Sequence, residues 1–232
     1  MNEPPKRRMV RAPGGAPTRV TPERLKTGKT RTPSSRAWLE RQIADPFAAE
    51  ARARGYRSRA AFKLTEIDDR FHLIRRGARV IDLGCAPGGW LQVAVEHGAE
   101  VVGVDLLPTE PLNGASILTE DFTDEGCAER LIAVLGGAPD LILSDMAPNT
   151  TGHRQTDHLR IIALIEAAAT FAIDSLKPGG AFVAKAFQGG ETAEITGRLK
   201  LAFAEVRHLK PKASRAESSE LYLLAKGFRG RA

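Results

Sequence analysis

The segment Val80-Ile81-Asp82-Leu83-Gly84-Cys85-Ala86-Pro87-Gly88-Gly89-Trp90 constrains the fold more than any other part of the chain. A short apolar run, Ala78 to Leu83, ends in a glycine-rich turn, Gly84 to Gly89, and the turn runs into a helical stretch, Leu91 to His97. That order reads as strand, loop, helix start. The same alternation continues downstream. Strands are expected at Glu100 to Val104 (closing on Asp105), Ser116 to Leu118, Asp140 to Leu143 (ending at Ser144-Asp145), Ala181 to Ala184 (closing on Lys185) and Glu220 to Ala225. Helices are expected at Cys127 to Leu135, Glu194 to Phe203 and Leu159 to Leu176, the last stopped by Lys177-Pro178-Gly179-Gly180. Upstream, residues 37–76 read as helical, opened by Trp38-Leu39, interrupted at Pro46, and carrying Phe62, Ile67 and Phe71 on an apolar face. Strands alternating with helices predict an α/β domain around a mostly parallel, doubly wound sheet. Such sheets bind ligands beyond the carboxyl ends of their strands, which directs attention to Asp82, Asp105, Asp145 and Lys185.

The turn itself says what kind of ligand to expect. Its glycines let a ligand approach the backbone closely, and the helix that follows offers free N–H groups to an anion. Asp105 stands 23 residues after Asp82, the place from which a carboxylate holds a ribose hydroxyl pair. An adenosine-type cofactor follows. The spacing is neither G-x-G-x-x-G nor G-x-x-x-x-G-K-[ST], so dinucleotides and P-loop nucleotides are disfavoured. D-x-G-x-x-P-G-G-W instead resembles the first motif of class I S-adenosylmethionine-dependent methyltransferases.

More of the chain joins this resemblance. The stretches are Arg57-Ser58-Arg59-Ala60-Ala61-Phe62-Lys63-Leu64, Asp82 to Trp90, Asp105-Leu106-Leu107-Pro108, Asp121-Phe122, Ser144-Asp145-Met146-Ala147-Pro148-Asn149, Lys185-Ala186-Phe187-Gln188-Gly189, and Ser214-Arg215 through Ser219-Glu220-Leu221-Tyr222. Each is weak alone, but together and in order they resemble the FtsJ/RrmJ family of ribosomal RNA 2′-O-methyltransferases over roughly residues 35–228. The resemblance implies a Rossmann-like class I fold with a seven-stranded sheet and helices on both faces. It implies a catalytic tetrad at Lys63, Asp145, Lys185 and Glu220, with Lys185 at the substrate 2′-hydroxyl. It also implies S-adenosyl-L-methionine contacts at Gly88, Trp90, Asp105, Asp121 and Asp145, with no metal. Cys85 stands where the family more often has alanine, and a thiol fits that space. The implied substrate is a uridine in the A loop of large-subunit (23S) ribosomal RNA, on the assembled subunit, and the implied protein is a monomer.

Charge places the RNA side. Residues 1–36 hold ten Lys/Arg against Glu3 and Glu23, so this segment carries +8 of a net +6 and the rest sums to −2. It is rich in Pro, Gly, Thr and Ser and has almost no large apolar residues, so it reads as a disordered basic arm preceding one methyltransferase domain at 37–232. Such an arm suits phosphate backbones. An organelle transit peptide, against which Pro4, Pro5, Pro13 and Gly14-Gly15 speak, and a solvated tail of no consequence are the other readings. Arg52, Arg54, Arg57 and Arg59 are candidates for phosphates at one side of the pocket, and Lys210, Lys212 and Arg215 at the other. No sequence-reading RNA signature is visible, so shape recognition is expected. The two cysteines, Cys85 and Cys127, make neither a disulfide framework nor a zinc site and suit a reducing, cytoplasmic setting. No apolar run long enough to span a membrane occurs.

Other functions share parts of this pattern. The same tetrad serves 2′-O-methyltransferases of tRNA or of an mRNA cap, whose proteins usually carry larger additions. A non-catalytic RNA-binding protein of this fold would not need all four tetrad residues. A small-molecule methyltransferase would need neither the arm nor paired lysines.

Overall fold

The computed structural model describes residues 45–148, 152–187, 193–215 and 218–230. The basic arm, Trp38-Leu39, Asn149 and Gln188-Gly189 lie outside the described residues. Residues Glu50–Ala232 form one compact unit; of the chain before it only residues 45–49 are described.

Asp45 accepts from the amides of Phe47 and Ala48 and starts helix α1, Pro46–Arg54. Pro46 therefore opens this helix, where its missing N–H costs nothing; residues 37–44, on the other side of the interruption that the sequence pattern places at Pro46, lie outside the described residues. The break comes later, at residues 55–59, before α2, Ala60–Phe71. Asp68 fixes the far end of α2: it is buried, and its Oδ1 accepts from Leu73 and Ile74, each at 2.7 Å.

The strands are β1 Arg79–Leu83, β2 Glu100–Asp105, β3 Ala115–Thr119, β4 Leu141–Ser144, β5 Ala181–Phe187, β6 Phe203–Leu209 and β7 Glu220–Phe228. The helices between them are α3 Gly89–Glu96, α4 Cys127–Leu135, α5 Arg154–Ser175 and α6 Ala193–Ala202. They form one seven-stranded sheet of order β3-β2-β1-β4-β5-β7-β6, in which β1 to β5 pair in parallel and β7 runs antiparallel to both its neighbours. This is the doubly wound sheet expected, with one more strand than the apolar runs mark out. The additional strand is β6, an edge strand reading Phe-Ala-Glu-Val-Arg-His-Leu. Only Phe203 is buried in it, so it carries no apolar run to betray it.

Successive strand residues go to opposite faces, and both faces are covered. Ile81, Leu83, Val102 and Phe182 pack with α4, α5 and α6. Val80, Val101, Leu143 and Val183 pack with α2 and α3. That is why the central strands read as continuous apolar runs rather than alternating ones. No helix among the described residues is long and apolar enough to cross a membrane.

The register aligns the strand ends. Leu83 is level with Val104 on one side and with Ser144 on the other, and Ser144 is level with Ala184. The next residues, Gly84, Asp105, Asp145 and Lys185, therefore form one row along the carboxyl edge of the sheet. The strand order reverses between β1 and β4, so this row crosses the switch point where ligands bind.

Candidate active site

The turn after β1 is held from both sides. The amides of Gly84 and Cys85 donate to Val104 O, and Asp145 N donates to Leu83 O at 3.2 Å. Gly84 has φ +78°, and a Cβ there would come within 2.6 Å of Met146 Cγ and 2.9 Å of its Cα. Only glycine lets the turn and the segment after β4 come this close. Gly88, with φ +107°, caps α3, whose first-turn amides lack intrahelical acceptors. Trp90 is buried, its Nε1 donates to Ala60 O at 2.8 Å, and its ring lies 5.7 Å from that of Tyr222. Its side chain is thus committed to packing. What Trp90 has for a ligand is its backbone amide in the first turn of α3.

Asp105 ends β2 and binds backbone on both sides. Its Oδ2 accepts from Ala86 N at 2.9 Å and its Oδ1 from Leu107 N at 2.8 Å. It therefore shapes the two loops as well as facing the ligand edge. Asp121 follows β3, and its Oδ1 accepts from the hydroxyl and the amide of Thr123, which together hold its carboxyl below the ordinary carboxylate range.

Two polar groups without an assigned role in the sequence pattern stand beside the turn. Asp82 is 1% exposed, and neither of its oxygens has a hydrogen-bond partner among the described residues. Burial pushes its carboxyl well above the ordinary range, and Asp145 and then Asp105 add to the effect. Ser58 Oγ is likewise buried without a partner and lies where a Cβ on Gly89 would stand. Burial also pushes the Cys85 thiol up to about 12, with Asp82 adding to it. This thiol packs tightly against Gly103, where a Cβ would fall 2.9 Å from its Sγ.

The four tetrad residues meet in one network. Lys63 Nζ, from α2, lies 2.6 Å from Glu220 Oε1 and donates to the Tyr222 hydroxyl at 3.1 Å. That hydroxyl donates to Asp145 Oδ1 at 2.7 Å. Lys185 Nζ lies 2.8 Å from the same Oδ1 and also donates to Asp145 O at 2.9 Å. Ser214 Oγ completes the far end by donating to Glu220 Oε1. The sequence pattern puts Lys185 at the end of a strand. Instead it lies inside β5, which continues to Phe187 because β7 pairs with it there, with Lys185 opposite Tyr222 and Phe187 opposite Glu220. It still clears β4, whose pairing stops at Ala184.

Tyr222 is the member that sequence reasoning missed. It is fully buried, and burial together with Asp145 and Glu220 raises its phenol well above the usual value, so it stays an O–H donor. The available signal was its spacing: Glu220 and Tyr222 are two apart on a strand and share a face.

The basic residues divide. Arg59 donates to Ala213 O, and Glu66 accepts from Lys212 N, so α2 is tied to the 210–215 loop. Arg57 is engaged with backbone carbonyls of the turn after β1 and of the segment after β2, at Pro87, Glu110 and Pro111. Arg54 pairs with Glu50, and Lys210 donates to Ser218 O. Arg52 and the Lys212 side chain are exposed.

The residues fit an S-adenosylmethionine-type cofactor on an observation independent of any resemblance. A cation, not an anion, is what a buried orphan carboxylate beside Asp105 and Asp145 is suited to receive. Donors for a carboxylate lie along the same turn, at the start of α3 and at Ser58, whose Oγ stands beside Gly89.

The chain is similar to known proteins. The family described as FtsJ-like methyltransferase matches residues 56–228. A protein of Caulobacter vibrioides named ribosomal RNA large subunit methyltransferase E is 66% identical, covering 96% of this chain and its own full length. One of the same name from Granulibacter bethesdensis is 60% identical, over 88% of this chain and 90% of its own. The solved structure of a protein described as a ribosomal RNA methyltransferase from Plasmodium falciparum superposes with a TM-score of 0.68 at 29% identity, covering 76% of this chain and all of its own. The span 56–228 takes in the glycine turn after β1, the acids of the sheet edge and the ion pairs Lys63–Glu220 and Lys185–Asp145, and with it the chain belongs to the FtsJ-like methyltransferase family.

Proposed function

We propose that the chain transfers a methyl group from S-adenosylmethionine to a ribose 2′-hydroxyl of large-subunit ribosomal RNA, on a uridine of the A loop in the assembled subunit. The observation that carries this reading is the unbroken hydrogen-bonded path from Glu220 through Lys63, Tyr222 and Asp145 to Lys185, set directly beside the cofactor turn. The shared name of the close relatives supports the RNA class.

Bound S-adenosylmethionine supplies a methyl on a positively charged sulfur, a leaving group that is already activated. Positioning of the attacking oxygen then contributes most of the rate. Lys185 Nζ meets that oxygen. Two of its three N–H positions go to Asp145, which leaves one for the substrate. When neutral, Nζ accepts the hydroxyl proton as the methyl transfers. Asp145 aims Lys185 and is itself held by Tyr222. Lys63 and Glu220 fix the Tyr222 hydroxyl from the other side. At the cofactor, Asp105 would hold the ribose hydroxyls, the amides at Gly88–Trp90 with Ser58 would hold the methionine carboxylate, Asp82 would partner a cationic group, and Asp121 would contribute from beyond the end of β3.

Asp105→Ala is expected to weaken cofactor binding by about 1.5–3 kcal/mol, measured by calorimetric titration. Asp105→Asn should lose less, because its amide oxygen still accepts from Ala86 N. Equal affinities for all three proteins would remove Asp105 from the site.

On the RNA side, the arm at 1–36, with Arg52, Lys212 and Arg215, is the source of phosphate contacts. Deleting residues 1–36 is expected to leave cofactor affinity unchanged and to make the salt slope of RNA binding shallower by about 0.7–0.9 for each phosphate that is no longer neutralised. An unchanged slope would show that the arm does not touch RNA. The experiment that tests the function as a whole is transfer from labelled cofactor to assembled large subunits and to naked ribosomal RNA, followed by mapping of the methylated nucleotide. Label at a base, or in no ribosomal RNA at all, would overturn the reading.

A further inference from the structure

Arg57 lies at the junction of α1 and α2, in a basic stretch that the sequence assigns to RNA phosphates. Its guanidinium is engaged elsewhere. Nη1 donates to Glu110 O at 2.6 Å and more distantly to Pro87 O at 3.4 Å, and Nη2 donates to Pro111 O at 2.8 Å. Pro87 belongs to the cofactor turn. Glu110 and Pro111 belong to the segment that leaves Asp105 and leads to β3. These are the two loops that Asp105 joins through Ala86 N and Leu107 N. Asp105 thus fastens them at the ligand edge, and Arg57 fastens them a second time farther along both loops.

The placement of Arg57 is itself fixed. Its amide donates to Gln92 Oε1 at 2.7 Å, and Gln92 Nε2 donates to Gly55 O at 2.9 Å, so α3 holds residues 55–57 in place. Gly88 supplies the room, since a Cβ there would stand 2.7 Å from Arg57 Nη1. A planar fork with several donors can span carbonyls on two separate loops, whereas a lysine, a single point of donors on a flexible stem, cannot.

We propose that Arg57 is a positioning residue of the cofactor site, which pre-orders the Gly84–Gly89 turn and the loop after Asp105 for S-adenosylmethionine, and that it is not an RNA phosphate ligand. This rests on the reading of that turn as the cofactor loop. A loop ordered before binding spares the ligand that cost, so the effect of losing Arg57 falls on cofactor affinity and not on the methyl-transfer step.

The test uses the full chain with Arg57→Lys and Arg57→Gln, and Arg52→Ala for comparison. Cofactor affinity is read by calorimetric titration, and affinity for a large-subunit ribosomal RNA fragment is read across salt concentration. Both Arg57 variants are expected to bind S-adenosylmethionine about tenfold more weakly or worse, the scale of one missing charge-assisted hydrogen bond. The KM for the cofactor should rise while kcat at saturation is kept. The RNA salt slope should stay that of the wild type, while Arg52→Ala makes it shallower with cofactor affinity unchanged. Wild-type cofactor affinity in Arg57→Lys would show that charge alone suffices and overturn the clamp. An unchanged cofactor affinity with a shallower RNA slope would return Arg57 to the phosphates. If the wild-type chain itself takes up no S-adenosylmethionine, the cofactor reading fails first and carries the clamp with it.

Discussion

Lys185→Ala is expected to reduce methyl transfer by at least about 10²–10⁴-fold, the range of a lost general base, while cofactor affinity stays close to that of the wild type. Nζ bonds only to Asp145 among the described residues, and its side chain is 10% exposed. Its removal leaves Asp145 still paired with the Tyr222 hydroxyl, so the edge of the sheet keeps its order. Lys185→Arg separates two roles that alanine merges. A guanidinium still donates hydrogen bonds but does not give up its proton in the working range. The arginine variant is therefore expected to be as inactive as the alanine one at every pH where the RNA survives. Single-turnover methylation of the natural RNA across pH checks this. Substantial activity in Lys185→Arg would mean that this position only orients the hydroxyl and that the proton leaves by another route.

The sheet edge is legible in the sequence because it is local information. Each of Asp105, Asp145 and Lys185 follows an apolar run, and the register of five parallel strands does the rest. The tetrad is not legible in that way. Lys63 and Glu220 are 157 residues apart, and nothing in the spacing of either says that they meet. Their pairing comes from resemblance, and the structure supplies the distance. Tyr222 escapes notice because a tyrosine in an apolar strand reads as core, which it also is. Asp82 carries a signal that is easy to under-read: an acid inside Val80-Ile81-Asp82-Leu83 either leaves the sheet or is buried at a cost. Arg57 reads as a phosphate ligand because composition registers its charge and not its geometry, and its partners are carbonyls that carry no sequence signature. The edge strand β6 is hidden for the opposite reason, since few of its side chains are buried and its pattern is that of a surface.

Asp82 is where the demands of folding and of binding conflict, and Asp82→Asn is expected to separate them. The carboxyl is buried with no partner among the described residues, near the carboxylates Asp145 and Asp105 and the Cys85 thiol, while Lys185 is engaged by Asp145. Its native-state pKa is raised above the unfolded value. An acid shifted this way is neutral in both states below about pH 4, and there it has no effect. As pH rises from that point toward the raised native value, the unfolded chain loses its proton and the native one does not, so stability falls. Above the native value the loss stays constant. Asparagine removes the ionisation and nearly keeps the shape. Ligand-free Asp82→Asn should therefore melt on the order of 5 °C higher than the wild type at neutral pH, and the gain should shrink toward zero as pH falls to about 4. With S-adenosylmethionine the order should reverse. The cationic groups of the cofactor give the carboxylate the partner it lacks, so the variant should bind about tenfold more weakly or worse and gain less thermal stability from saturating ligand. Melting curves across pH, with and without cofactor, measure both effects on the same samples. A melting difference that does not change with pH would show that the Asp82 carboxyl titrates in the native protein as it does in the unfolded chain. Cofactor affinity equal to the wild type would show that the cations lie elsewhere. The two results fail independently because one concerns the empty protein and the other the filled one, and only a carboxylate buried for its ligand predicts both.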